Sequence, residues 1–190
     1  MLDLLPSYEF LLTRKQYFLN HDLSFLPKGF LGRVGELSTG EFVGHFSQVL
    51  ELIKKVISTG REHVWLLSDQ PMVVGPSIGP TFFAREIPVR LIGQDIDRRV
   101  IAETKASLPH SEIAILPKVS VALAINGSLA GVCFSDSGCK IDFGSGFAGT
   151  DPKFRGCCSD LFEYYWSRSR KTWPGGALDV NDLVDSSRSC

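Results

Sequence analysis

The sequence lacks the long apolar run and the net charge that would place the protein in a membrane or on nucleic acid. No stretch reaches the roughly 18 consecutive apolar residues that cross a bilayer. Acidic Asp3 and Glu9 stand where a cleavable leader would be basic. The formal net charge of −1 supplies no global field that would hold the chain on DNA. We therefore expect a cytoplasmic protein that binds no membrane and, by itself, no DNA.

Sequence motifs for cofactors, metals and common catalytic groups are also missing. No Gly-x-Gly-x-x-Gly or Walker-type loop follows the first predicted strand, and Ser68 does not lie in a Gly-x-Ser-x-Gly elbow. The four histidines have no metal-ligand spacing, and the five cysteines include no Cys-x-x-Cys pair. We expect no cofactor, no metal site, structural histidines and a reducing compartment.

The most informative stretch covers residues 119–166. Two apolar runs flank Asn126-Gly127, a dipeptide that favours a type I′ turn because both central residues of that turn have positive φ. This predicts a β-hairpin over residues 119–135. Asp151 and Pro152 then suit the N-cap and first position of a helix whose apolar residues recur at helical spacing. That helix must cover a sheet.

Strand and helix patterns alternate before the hairpin. Residues 41–59 carry a helical apolar stripe, with Gly60 expected as a left-handed cap. Short apolar runs at 63–69, 87–93 and 113–116 are typical of strands buried on both faces. This alternation predicts parallel strands. The expected fold is α/β, with a mixed, mostly parallel sheet, a C-terminal antiparallel hairpin and helices on both faces.

The same pattern divides the chain into three parts. Residues 1–40 are expected to hold an N-terminal helix and a linker, and residues 41–170 the α/β domain. Residues 171–190 begin with a proline–glycine segment and end in polar residues, so they are expected to form a flexible tail.

Polar side chains follow two of the predicted strands, at the sheet edge where parallel sheets bind ligands. Ser68, Asp69 and Gln70 follow the first strand, and Gln94 follows the second. Arg33 lies in the linker and can fork onto a carboxylate or phosphate. We predict a small-molecule site at this edge, with an organic anion as the ligand.

Each part of this predicted site has a plainer alternative. Aspartate and serine at strand ends commonly satisfy the backbone of a loop and bind nothing else. Arg33 can instead pair with Glu36 or Asp22 and hold the linker in place.

Several segments distributed along the chain resemble one family of proteins. They are Tyr8-Glu-Phe, Tyr17-Phe-Leu-Asn-His21-Asp22-Leu, Arg33-Val-Gly35-Glu36-Leu37, Gly149-Thr-Asp-Pro-Lys-Phe and Asp160-Leu-Phe-Glu-Tyr-Tyr-Trp166. This set resembles the C-terminal effector domain of archaeal ArsR/TrmB-like transcription regulators, the methanogenesis regulatory protein family. The resemblance implies a phospholipase D-like fold. It also implies a sensor that receives a signal for a winged helix-turn-helix DNA reader.

The chain departs from the expected pattern at two places. Its first 40 residues are too few for a three-helix DNA reader, so the chain is either a truncated regulator or a stand-alone sensor. The phospholipase D motif His-x-Lys-(x)4-Asp falls on Val119, Val121 and Asn126, so all three of its catalytic groups are missing. We therefore expect a non-enzymatic sensor that reaches DNA only through a separate reader. The alternative is a phospholipase D-like phosphodiester hydrolase.

A homodimer is expected from the two-fold sites that such regulators read. The N-terminal helix is the candidate surface, because its aromatic residues spread around more than one face. The alternative is that this helix packs over the sheet of its own chain.

Overall fold

The structure, a computed structural model, describes residues 4–69 and 87–171. Gln70 and all but the first residue of the predicted tail lie outside these ranges. The helices are α1 (Leu5–Thr13), α2 (Lys15–Phe18), α3 (Lys28–Leu31), a 3₁₀ helix (Val34–Thr39), α4 (Phe46–Thr59), α5 (Arg98–Ser107) and α6 (Pro152–Arg168). The strands are β1 (Glu41–Val43), β2 (Val64–Ser68), β3 (Val89–Gln94), β4 (Ser111–Leu116), β5 (Val121–Asn126), β6 (Ala130–Phe134), β7 (Gly146–Gly149) and β8 (Arg170–Lys171).

These eight strands form one mixed sheet, in the order β1-β7-β6-β5-β2-β3-β4-β8. The pairs β2–β3 and β3–β4 are parallel, whereas the other five pairs are antiparallel. The expectation of a mostly parallel sheet is therefore wrong. The three strands β2, β3 and β4 in the middle of the chain do run parallel, as expected. The hairpin β5–β6 then joins β2 in antiparallel orientation and is extended by β7 and β1.

Helices cover both faces of the sheet, and adjacent residues of β2 reveal the two layers. Leu67 lies in the same apolar cluster as Phe162 of α6 and the N-terminal helices. Leu66 lies in a second cluster with Val56 of α4 and residues around α5. Because successive side chains of a strand point to opposite faces, these clusters are the two layers of the core. Within the described residues, no helix is both long and apolar enough to cross a membrane.

Helix α6 begins as the sequence predicts. The Asp151 carboxylate accepts hydrogen bonds from the backbone N–H groups of Lys153 (2.8 Å) and Phe154 (3.4 Å). Phe154 and Phe162 are completely buried against the sheet. Removing one such phenylalanine side chain from water contributes roughly 1.5–3 kcal/mol. The helix is thus fixed by its cap at one end and by its apolar face along its length.

The N-terminal segment packs on the same face as α6. The predicted N-terminal helix is interrupted at Arg14, where φ is −107°, and divides into α1 and α2. Phe10 and Tyr17 are buried, and their rings lie 5.2 and 5.0 Å from the ring of Phe147 on β7. The segment therefore shares its core with the sheet.

The helix predicted from residue 41 instead begins at Phe46. The preceding residues form the edge strand β1, where Phe42 pairs with Phe147 and packs against its ring at 5.6 Å. Helix α4 ends before Gly60, whose φ of −56° is not that of the predicted left-handed cap. A Cβ at Gly60 would lie 2.5 Å from the Val64 side chain. Glycine is thus needed there for close approach to β2.

Candidate functional site

The three positions that correspond to the phospholipase D motif lie on or beside β5. Val119 and Val121 are buried, and the backbone N–H of Val119 donates to Oε1 of Gln94 at 2.9 Å. The Asn126 side-chain amide donates to the carbonyl of Val56 (2.7 Å) and to Oγ1 of Thr59 (3.0 Å). Two alkyl groups and one amide supply neither a nucleophile nor a general acid.

Asn126 also shapes the hairpin turn, in a way that differs from the prediction. Its backbone N–H donates to the carbonyl of Leu129, so Gly127 and Ser128 occupy the turn. Oδ1 of Asn126 accepts hydrogen bonds from the backbone N–H groups of Ser128 and Leu129, each at 2.8 Å. Ser128 is not among the described non-glycine residues with positive φ, so the turn is not the predicted type I′. The side chain of Asn126 closes the turn instead.

The described residues of the predicted strand-end site do lie at one edge of the sheet. Ser68 ends β2, and its hydroxyl donates to Oδ1 of Asp69 at 3.4 Å. Ser68 pairs with Gly93, the residue before Gln94 on β3. Because side chains alternate along a strand, Ser68 and Gln94 point to opposite faces of the sheet. Ser68 and Gln94 thus lie near each other on paired strands, but their side chains do not line one pocket.

Arg33 directly precedes the 3₁₀ helix, and its guanidinium contacts α6 and not the ends of β2 and β3. Its guanidinium donates to both carboxylate oxygens of Glu36, at 2.7 and 2.9 Å, and to Asp160 at 2.8 Å. The hydrogen bonds with Glu36 raise the pKa of Arg33 further above its already high value. This is the Glu36 pairing described above as the alternative. The role of Arg33 as an anion anchor stays a prediction.

A cavity of about 450 Å³ lies between the N-terminal helices and the sheet. We refer to it as the arm cavity, because the end of α1 and α2 form one wall and β1 with the β6–β7 loop form the other. The residues that matter for its chemistry are Arg14, Tyr17, His21, Phe42, Asp142 and Ser145. The arm cavity was not predicted, because its two walls are distant in sequence.

His21 and Asp142 connect these two walls. Nε2 of His21 lies 3.0 Å from Oδ2 of Asp142, and Nδ1 lies 2.7 Å from the carbonyl oxygen of Tyr17. The imidazole stacks on the Tyr17 ring with centroids 3.7 Å apart. Both ring nitrogens face oxygen acceptors, so a doubly protonated ring donates to both, whereas a neutral ring donates to only one.

Asp142 accepts several hydrogen bonds besides that from His21. The Ser145 hydroxyl donates at 2.6 Å and the Gly144 backbone N–H at 2.7 Å. Burial tends to raise the pKa of Asp142, but these hydrogen bonds and His21 outweigh it and leave the pKa below its usual value. Ser145 donates to Asp142 and not to His21, so the three side chains are not arranged as a catalytic triad.

Arg14 supplies the remaining charge of the arm cavity. Within residues 4–69 and 87–171, its guanidinium makes no hydrogen bond or ion pair, and it lies 5.5 Å from the centroid of the Phe42 ring. Phe42 is 41% exposed. The described residues include no group of three or more histidine, cysteine or acidic side chains that could hold a metal ion. The cavity thus combines an unpaired cation, a ring surface and a hydrogen-bonded histidine–aspartate pair.

Neither a family model nor a curated protein matches this sequence. Solved structures do resemble it. One is TrmBL2, described as an archaeal chromatin protein that shows a novel mode of DNA binding, with a TM-score of 0.53 and 12% identity. The match covers 87% of this chain and 61% of TrmBL2, so this chain spans about three fifths of that protein's length.

A second similar structure is NucT from Helicobacter pylori. Its TM-score is also 0.53, at 10% identity, and the match covers 70% of this chain and 98% of NucT. At identities this low, structural likeness establishes the fold alone. The chain therefore has a mixed α/β fold that resembles the folds of these two proteins over most of its length.

Proposed function

We propose that this chain is the signal-sensing domain of an archaeal transcription regulator, which binds a small molecule and controls a winged-helix DNA reader. The observation that carries the proposal is the arm cavity. Its volume of about 450 Å³ is within the range of sites that hold small organic ligands. The likeness to TrmBL2, a protein described as DNA-binding, supports a regulatory role. The reader itself is not among the described residues.

The position of the arm cavity suggests how a signal would be transmitted. Tyr17 and His21 contribute to the cavity and also anchor the N-terminal segment to the sheet. A ligand that binds one arrangement of this segment better than another shifts the balance between them. Arg33 joins Glu36 of the 3₁₀ helix to Asp160 on α6, so these ion pairs hold the 3₁₀ helix against α6. A DNA reader attached to the segment would then respond to occupancy of the cavity.

A homodimer forms part of the proposal. The outward face of α1 carries Leu5, Tyr8 and Leu12, which are 59%, 61% and 54% exposed and recur at helical spacing. An apolar stripe of this kind on a surface helix suits a symmetric contact with a second copy. The dimer would be cytoplasmic and would present two readers to a two-fold DNA site.

The competing function is that of a phosphodiester hydrolase. Its support is the likeness to NucT, which this chain matches over nearly the whole length of that structure. Against it stands the chemistry of Val119, Val121 and Asn126, whose side chains cannot replace a histidine, a lysine and an aspartate. The sensor is therefore the better-supported function.

A metabolite screen tests the proposal directly. The purified chain is heated with fractions of a small-molecule extract, and any fraction that raises Tm is resolved by mass spectrometry. A ligand present at one hundred times its Kd adds about 2.7 kcal/mol. For a chain of this size that corresponds to an increase in Tm of about 5–10 °C. Turnover of bis(p-nitrophenyl) phosphate that Asp69→Asn abolishes would instead favour the hydrolase.

A further inference from the structure

We propose that the arm cavity binds a small organic anion, with its carboxylate or phosphate group on Arg14 and its apolar part against Phe42. This inference rests on the proposed sensor function, because it assigns the ligand class and the anchor of that sensor's site. It moves the anion anchor from Arg33, where the sequence suggested it, to Arg14.

The argument begins with the pairing of the arginines. Arg33 donates to Glu36 and Asp160, Arg90 pairs with Glu163, and Arg99 pairs with Glu103. Within residues 4–69 and 87–171, the Arg14 guanidinium has no acidic partner and no hydrogen-bond acceptor. Its N–H groups are therefore available for the two parallel hydrogen bonds that arginine makes with carboxylate or phosphate.

The local backbone directs Arg14 to the cavity. Arg14 is the residue at which α1 ends and α2 begins, with φ −107° and ψ 26°. At this break Tyr17 packs inward on Phe147 and Phe42, and Arg14 lines the cavity over the Phe42 ring.

The other charged groups of the cavity do not compete for this role. The carboxylate oxygens of Asp142 are already occupied by hydrogen bonds from His21, Ser145 and the Gly144 backbone. Arg14 lines the same cavity but forms no ion pair with Asp142 or with any other acidic group in the described part of the chain. An anion is the ligand class that complements Arg14.

The ring of Phe42 indicates the nature of the rest of the ligand. Phe42 contacts Phe147 on its inner side, yet 41% of its surface remains exposed. An apolar group placed on this ring would remove the exposed area from water, which stabilises the complex. An anion with an aromatic or aliphatic body satisfies both Arg14 and Phe42, whereas an inorganic ion satisfies only Arg14.

Matched probes test this assignment on the full chain. Benzoate and phenyl phosphate carry a ring and an anionic group, benzamide is the neutral match of benzoate, and acetate lacks the ring. Binding is followed by NMR titration of backbone amides. We expect benzoate and phenyl phosphate to shift the amide signals of residues 13–21 and to bind at least tenfold more tightly than benzamide and acetate.

Variants then assign the contacts. Arg14→Gln keeps a polar side chain that is shorter and uncharged, and should weaken benzoate binding at least tenfold. Arg99→Gln, on exposed α5, is the matched control and should leave the affinity within twofold. Phe42→Leu should weaken benzoate more than acetate, which tests the site independently if Arg14→Gln does not fold. Equal binding of benzamide and benzoate, or an affinity within twofold in Arg14→Gln, would overturn the proposal.

The metabolite screen separates this inference from the proposed function. A natural ligand that stabilises the wild type and Arg14→Gln equally would refute the arm-cavity assignment and leave the sensor function intact. A screen in which neither extract fractions nor probes bind would overturn both. A ligand that loses its stabilising effect in Arg14→Gln, but not in Arg99→Gln, supports both.

Discussion

The His21 imidazole and the Asp142 carboxylate are 3.0 Å apart, although 121 residues separate them in the sequence. The contact joins the end of α2 to the β6–β7 loop and forms one side of the arm cavity. Under the proposed function, this contact would transmit ligand binding in the cavity to the N-terminal segment. The first quantity to measure is therefore the contribution of this contact to the free energy of unfolding.

Replacing Asp142 should destabilise the protein measurably. Asp142→Ala removes the acceptor of hydrogen bonds from Ser145, Gly144 and His21 and leaves these donors partly buried without partners. We expect the free energy of unfolding to fall by about 2–3 kcal/mol, measured by urea denaturation at pH 7. Glu103→Ala, on the exposed surface of α5, is the control and should change it by less than about 0.5 kcal/mol.

Comparison of the wild type with Asp142→Ala at different pH values gives a second test. The pKa of Asp142 is lowered in the folded state, so its carboxylate adds stability that is complete above the unfolded pKa, near 4, and is lost as the pH falls further. The stability difference between wild type and Asp142→Ala should shrink below pH 4. A difference that stays constant from pH 7 to pH 3 would contradict the role given to the charge.

Arg33 should contribute to stability and not to ligand affinity. Arg33→Ala breaks the bidentate pair with Glu36 and the contact with Asp160. We expect a loss of about 1–2 kcal/mol in the free energy of unfolding, because the guanidinium is partly screened by solvent. Asp160→Ala, which removes only the more exposed partner, should cost less. Affinity for any arm-cavity ligand should stay within twofold in both variants, as measured by calorimetry.

Gly35 should be essential for docking of α1. A Cβ at Gly35 would lie 2.5 Å from backbone atoms of Pro6 and Ser7, which cannot move without displacing the helix. We expect Gly35→Ala to lower the free energy of unfolding by about 1–3 kcal/mol and to expose α1 to limited proteolysis. Gly156→Ala is the matched control: its Cβ meets no atom within 4 Å, and alanine favours helix α6. That variant should be as stable as the wild type or slightly more so.

The sequence predicts correctly those features that depend on interactions between residues close together in the chain. The start of α6 was predicted correctly because the Asp151 cap and Pro152 act within one turn. The strands β2, β3 and β4 were recognised because burial on both faces leaves a continuous apolar run. These features depend on neighbouring residues alone.

Features that depend on distant contacts were missed. β1 looks like the start of a helix in sequence, and becomes a strand because Glu41–Val43 pairs with β7 about a hundred residues later. The sheet was expected to be mostly parallel because nothing local indicates which strand the hairpin will join. The arm cavity was missed for the same reason. His21 showed no metal-ligand spacing, and its partner Asp142 is remote in sequence.

His63 should make stability depend on pH as the pH falls through about 6.5, the ordinary pKa of histidine. Burial lowers its pKa, and the nearby Arg90 adds to this, while Glu62 opposes it. The unfolded chain therefore takes up a proton before the folded one does as the pH falls, so stability is lost in that direction. In His63→Phe the free energy of unfolding should fall less steeply from pH 7.5 to 5.5. Equal slopes in the two proteins would contradict this assignment.

Restoring the aspartate of the phospholipase D motif should damage the protein and not activate it. Asn126→Asp replaces an amide that donates to the Val56 carbonyl and Thr59 by a carboxylate that can only accept. Asn126 is 2% exposed, so the new charge would be buried against an oxygen. We expect the free energy of unfolding to fall by about 2–4 kcal/mol.

The control for this substitution is Asn20→Asp, at a solvent-exposed position after α2 where the amide donates to the Gln16 carbonyl. It should cost less than about 1 kcal/mol by urea denaturation. A phosphodiester assay on Asn126→Asp should give no more turnover than the wild type, because Val119 and Val121 still supply neither nucleophile nor acid. A stable and active Asn126→Asp protein would mean that this strand retains the geometry of a hydrolase, and would reverse the preference for a sensor.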